Sequence, residues 1–205
     1  IEWAKFTDAA WLKDGFFYSA YDRPVEGKEF SNANENHRIY YHKLGTPQSA
    51  DKVAFEDKEH PLHFHTAQVP SNERCLFVYV GGQGFGEGLL MKDLTKADAP
   101  WITIEPSQNF SNGVVDVIGD EVYILTSADA QRNRLVKAPV SNPVRANWVT
   151  VVPEQDGVLT GVQRSGKDLI LSYEKDASMH PALYTVAGEK IRDIELPTFG
   201  TAGIS

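Results

Sequence analysis

The chain has 205 residues, 41% of them hydrophobic and 23% charged, a balance that supports a globular core and excludes disordered or collagen-like chains. Twenty basic residues against 28 acidic ones leave a formal net charge of -8 with no long run of either sign, so nucleic acid is disfavoured as a partner: phosphate contacts need a concentrated basic patch. The longest apolar stretches, such as residues 75–80, are far too short to cross a bilayer, and no membrane partner is expected.

In chain order, short β-rich runs recur. A strand candidate around Thr7 to Leu12 leads into FFYSAYD (16–22) and RIYYHKL (38–44), and KVAFED (52–57) trails them. The pattern returns as residues 63–69, CLFVYV (75–80), GLLMKDL (88–94) and WITIEPS (101–107). It returns again as residues 113–118, EVYILTS (121–127), RLVKAPV (134–140) and WVTVVPE (148–154). A final set comprises residues 159–164, DLILSYEKD (168–176), ALYTVAG (182–188) and KIRDIEL (190–196). The third member of each set begins near Ile39, Leu89, Leu135 and Leu183, at intervals of 50, 46 and 48 residues. Lys13-Asp14-Gly15, Gly119-Asp120, Ser165-Gly166-Lys167-Asp168 and Ala187-Gly188-Glu189 supply turn chemistry between strands.

No segment of ten or more residues keeps helical apolar spacing, so the chain is expected to be all-β. Four antiparallel strands repeated in tandem at this period predict β-propeller blades, about four of them, approximately 7–57, 63–107, 113–154 and 158–196, with 199–205 starting a further blade. A β-sandwich also offers many short strands, but it does not predict a fourfold period with strand type in phase. Residues 1–205 are thus expected to form a partial propeller. The chain opens with Ile1 rather than Met and with text that looks like the middle of a domain, so a piece of a longer polypeptide is expected. End blades of a partial propeller present bare apolar faces, which makes a homo-oligomer of the fragment a further expectation.

Few motifs carry chemistry. The cluster Gly81-Gly82-Gln83-Gly84-Phe85-Gly86-Glu87-Gly88 is followed by a strand rather than a helix, so it is expected to be a flexible hairpin tip, with Phe85 an exposed aromatic on it. His63 and His65 lie two apart with His60 nearby, but Glu56, Asp57 and Glu59 precede them in a loop without matching spacing; structural or solvated histidines and no metal are expected. Ser49, Ser71, Ser107, Ser127, Ser165 and Ser178 fall in turns or strand ends, and no Gly-x-Ser-x-Gly elbow occurs, so no catalytic residue is assigned. The lone Cys75 is expected in the core, and Trp3, Trp11, Trp101 and Trp148 are expected to pack between blades.

The segments Asp14-Gly15-Phe16-Phe17-Tyr18-Ser19 and Ile39-Tyr40-Tyr41-His42-Lys43-Leu44-Gly45-Thr46-Pro47-Gln48-Ser49-Ala50-Asp51 resemble the propeller domain of prolyl oligopeptidase. Residues 126–136, Trp148, Val152-Pro153-Glu154 and residues 169–176 match the family's later blades in order and spacing, so the resemblance covers nearly the whole chain. The related oligopeptidase B branch shares Leu-Gly-Thr-x-Gln, but Tyr-Tyr-His and Phe-Phe-Tyr-Ser favour the prolyl branch.

The resemblance implies a cytosolic or periplasmic serine peptidase that cleaves short peptides after proline and uses no cofactor. In that family a seven-bladed propeller caps an α/β-hydrolase domain and gates access to it. This chain looks like four central-to-late blades of the cap, with the hydrolase domain of the same parent chain and short proline-containing peptides as partners. The family's catalytic Ser, Asp and His have no counterpart here, so the chain alone is expected to be inactive. Phe64 and the pair Gly84-Phe85 fall where the family lines its substrate cavity, and an apolar contact there is worth about 1–2 kcal/mol. The alternative is a free-standing propeller-type module that binds peptides or proteins through loops such as 81–88 and self-associates.

Overall fold

The computed structural model describes residues 1–24, 27, 34–82, 84–198 and 200. The expected further blade at 199–205 lies outside the described residues except for Gly200. The described strands form four antiparallel sheets of four, each connected in chain order. The first sheet holds β1 (Ala10–Leu12), β2 (Gly15–Ala20), β3 (Arg38–Lys43) and β4 (Lys52–Glu56). The second holds β5 (Phe64–Gln68), β6 (Cys75–Gly81), β7 (Gly88–Asp93) and β8 (Ile102–Glu105). The third holds β9 (Asn112–Ile118), β10 (Glu121–Thr126), β11 (Arg134–Pro139) and β12 (Val149–Val152). The fourth holds β13 (Val158–Ser165), β14 (Asp168–Lys175), β15 (Ser178–Thr185) and β16 (Lys190–Asp193).

The chain divides into two compact units, Ile1–Asn109 and Phe110–Ser205, with two sheets in each. In the first unit, Phe17 and Ile39 of one sheet pack with Leu76, Val78 and Val80 of the other, and Phe55 and Trp101 close over them. In the second unit, Tyr123, Leu135 and Val152 pack with Leu159, Leu169, Leu171 and Tyr184. Each such side chain contributes about 1.5–3 kcal/mol by leaving water, and this burial is what couples the two sheets of a unit. The period-2 alternation of the strands supplies the apolar face that makes it possible.

All four sheets share one irregularity. Pairing between the third and fourth strands shifts register between Ile39 and Tyr40, Leu89 and Leu90, Leu135 and Val136, and Leu183 and Tyr184. The unpaired residues opposite are Ala54, Ile104, Val151 and Ile191. A bulge of this kind adds twist at the sheet margin, so the repeat extends to the local shape of every sheet.

Three expectations are corrected. The first strand begins at Ala10 rather than Thr7, because the Thr7 hydroxyl accepts the Ser19 N–H at 2.7 Å and takes the place of a ladder bond. The third strand of the last sheet begins at Ser178, ahead of the expected Ala182, because Asp176 (φ 51°) and Ala177 (φ 56°) make a two-residue hairpin turn. Of the tryptophans, Trp101 does pack between sheets, edge-on to Phe55, whereas Trp11 is 57% exposed and Trp148 donates its indole N–H to the Pro143 carbonyl within its own connection.

Candidate functional site

β5 and β7 start where β6 and β8 finish, so the loop 57–63, the hairpin tip after β6 and the segment after β8 meet at one end of the second sheet. A cleft of about 580 Å³ opens there, lined by apolar Phe55, Val80 and Leu90 and by polar residues that include Asp57, His60, His63 and Gln108. The Gly86 N–H donates to the Gln108 carbonyl at 2.9 Å, which clamps the tip to the segment after β8. A Cβ on Gly84 would sit 1.9 Å from that same carbonyl, so only glycine permits the approach.

Loop 57–63 is locally ordered by Asp57. Its Oδ1 accepts the backbone N–H groups of Glu59 and His60, at 3.1 and 3.2 Å, which leaves Oδ2 facing two imidazoles. Oδ2 lies 2.9 Å from His60 Nδ1 and 3.4 Å from His63 Nδ1, and the two rings stack at 4.5 Å. Burial raises the Asp57 pKa, but the hydrogen bonds from the His60 ring and the two backbone N–H groups outweigh it and hold the carboxyl below its ordinary range. Gln108 Nε2 is 3.2 Å from His63 Nε2. The sequence reading, in which no carboxylate completed the histidine set, is therefore corrected: the Asx-type turn brings Asp57 onto His60 and His63.

His65 goes elsewhere. Its backbone N–H donates to His37 Nδ1 and its ring Nδ1 donates to the His37 carbonyl, both at 2.8 Å, while the Ser19 hydroxyl donates to the His65 carbonyl at 2.7 Å. These bonds stitch the first sheet to β5. Burial pushes His65 down to about 4 and lowers His37 as well. Cys75 is fully buried, and desolvation raises its thiol to about 11.

The residues expected to face substrate separate into two environments. Phe64 lies over Gly81, where an added Cβ would come within 2.4 Å of its ring, and is 6.3 Å from the ring of Phe6. Phe85 is fully exposed at the hairpin tip, held there by Gly84 and Gly86 against Gln108. Of the expected turn serines, Ser107 accepts a local backbone N–H, that of Asn109 at 3.0 Å, whereas Ser127 accepts the N–H of Ser111, sixteen positions earlier, at 2.9 Å.

The tyrosine-rich strand and the turn after it form a hydrogen-bonded cluster. Tyr18 donates its hydroxyl to Asp51 Oδ2 and His42 Nδ1 pairs with Asp51 Oδ1, both at 2.8 Å. The Gln48 amide bonds both backbone groups of Glu2, at 2.8 and 3.0 Å, and so docks the start of the chain.

A family model described as prolyl oligopeptidase, N-terminal beta-propeller domain, matches residues 1–204. Prolyl endopeptidases of Elizabethkingia miricola and Elizabethkingia meningoseptica are 34% and 36% identical over 200 and 199 residues, which is 97% of this chain and 28% of each relative. A solved prolyl endopeptidase structure matches with a TM-score of 0.87 and 28% identity, covering 100% of this chain and 29% of that one. The chain thus spans under a third of the length of these proteins.

Proposed function

The chain belongs to the family of prolyl oligopeptidase N-terminal β-propeller domains, and on that premise we propose that it is the gating domain of a serine peptidase that cleaves short peptides after proline. Acyl transfer is then the work of an α/β-hydrolase domain on the same polypeptide. The observation that carries this reading is the match over residues 1–204 together with relatives, named prolyl endopeptidases, that are more than three times as long.

Within the reading, Phe64 and the Gly84-Phe85 pair face the bound peptide. The support for Phe85 is its position: a wholly exposed aromatic on a tip fixed by backbone contacts has no packing role to explain it. Binding a peptide would bury an apolar ring that the free domain leaves in water. The test is hydrolysis of a short proline-containing peptide by the complete polypeptide and by its Phe85→Ala variant. An apolar contact of about 1–2 kcal/mol predicts a KM raised about 5- to 30-fold with kcat little changed. An unchanged KM in a properly folded variant removes Phe85 from the substrate path, and absence of cleavage after proline overturns the functional reading itself.

A further inference from the structure

We propose that Asp57, His60 and His63 form a binding site for one divalent transition-metal ion of the zinc class, on the loop that joins the first and second sheets. Two imidazole nitrogens with one carboxylate oxygen are a donor set suited to Zn²⁺ and its first-row neighbours, and too rich in nitrogen for Mg²⁺ or Ca²⁺. The proposal stands apart from the peptidase reading, since it concerns this chain's own side chains.

Distances favour it. A tetrahedral ion with bonds of about 2.0–2.2 Å needs donor atoms about 3.3 Å apart. Asp57 Oδ2 stands 2.9 Å from His60 Nδ1 and 3.4 Å from His63 Nδ1, and all three donors lie within 4.8 Å of one another. The His60 and His63 rings stack with only 10° between their planes, and ring lone pairs lie in plane, so both reach one ion only after the His60 ring turns; its side chain is 49% exposed and has room to do so. Asp57 needs no such adjustment, because its other oxygen is already held by two backbone N–H groups.

A second observation is independent of the clustering. His63 Nδ1 is buried without a hydrogen-bond partner, on a side chain only 8% exposed, and the nearest carboxylate oxygen is Asp57 Oδ2. A buried polar atom left unsatisfied is costly, and folded chains rarely keep one. An ion between Nδ1 and Oδ2 supplies the missing partner. On the far side of the ring, Gln108 lies at hydrogen-bond distance from Nε2. With its amide turned so that the oxygen faces the ring, it accepts the Nε2–H and leaves the Nδ1 lone pair for the metal, the usual arrangement around a ligating histidine. The cleft leaves space for water at the fourth position. Because the site requires the folded loop, the ion stabilises the native state and raises Tm with its concentration.

Isothermal titration of the complete, tag-free protein with ZnCl₂ is expected to show one site per chain, with no matching signal from MgCl₂. Asp57→Asn and His60→Ala change partly exposed side chains, and each is expected to weaken zinc binding at least about tenfold; Gln108→Ala, which removes the supporting amide, weakens it by about 10- to 100-fold. Circular dichroism checks that each variant is folded. Imidazole ¹⁵N resonances of His60 and His63 in the unsubstituted protein are expected to move on zinc addition, a readout that needs no variant. Absence of saturable zinc binding, unmoved His60 and His63 resonances, or affinity that survives both Asp57→Asn and His60→Ala would each overturn the proposal.

Discussion

Asp51 ties two strands of the first sheet to the turn that follows them: it takes the Tyr18 hydroxyl from β2 and the His42 ring from β3, with its side chain 2% exposed. Removing the carboxylate strands two polar groups in a dry site, so Asp51→Ala is expected to lower stability by about 2–3 kcal/mol, measured by urea unfolding; a loss below about 0.5 kcal/mol would contradict the account. Asp51→Asn, which keeps an acceptor, should recover part of that loss. The residues of this cluster are legible in the sequence, since they fall in the segments that carry the family resemblance. Their mutual bonds are not, because Tyr18 and Asp51 are 33 positions apart. The same limit explains the histidines. His65 and His37 are 28 positions apart and exchange backbone and ring bonds that no local spacing announces. Asp57, His60 and His63 sit three apart in sequence, a signal that could have been found, but only the turn built on Asp57 Oδ1 brings their donor atoms together.

The strand is the scale at which the sequence speaks most clearly. Apolar alternation and a period near 48 residues locate the four sets of strands, and the recurrent bulge after Ile39, Leu89, Leu135 and Leu183 has the same phase as the repeat. What alternation does not reveal is where side chains compete with the backbone, as Thr7 does at β1, or where non-glycine residues make a turn. The turn between β14 and β15 is the sharpest case. Ala177 adopts φ 56° there, a left-handed conformation that costs an alanine roughly 1–2 kcal/mol. Ala177→Gly relieves that cost at the expense of some chain entropy, and the net expectation is a gain of about 0.5–1 kcal/mol in unfolding free energy, read as a higher urea midpoint with unchanged m-value. A loss of stability would mean that the Ala177 methyl group contributes packing that outweighs the strain.

At the scale of the whole molecule, burial organises each unit around one apolar seam between two sheets, and the polar bonds at the sheet ends, such as Ser19 to His65 in the first unit, fix how those sheets meet. Arg164 and Asp116 do the same in the second unit, at 2.9 Å with the carboxylate almost wholly buried. An architecture of repeated sheets needs no catalytic constellation to be stable, which is why fold and family could be read from strand text while the substrate contacts rest on Phe64, Gly84 and Phe85 as proposals. In the function proposed above, this propeller domain works in cis with a serine hydrolase. The most direct measurement is the mass of the native polypeptide that carries this sequence, followed in its source cells with an antibody to the domain and a fluorophosphonate probe for activated serines. One band more than three times the length of this chain, reactive to both reagents, is expected, in keeping with relatives of which the chain covers 28%. An antibody-positive band the size of the 205-residue chain, silent to the probe, would contradict it.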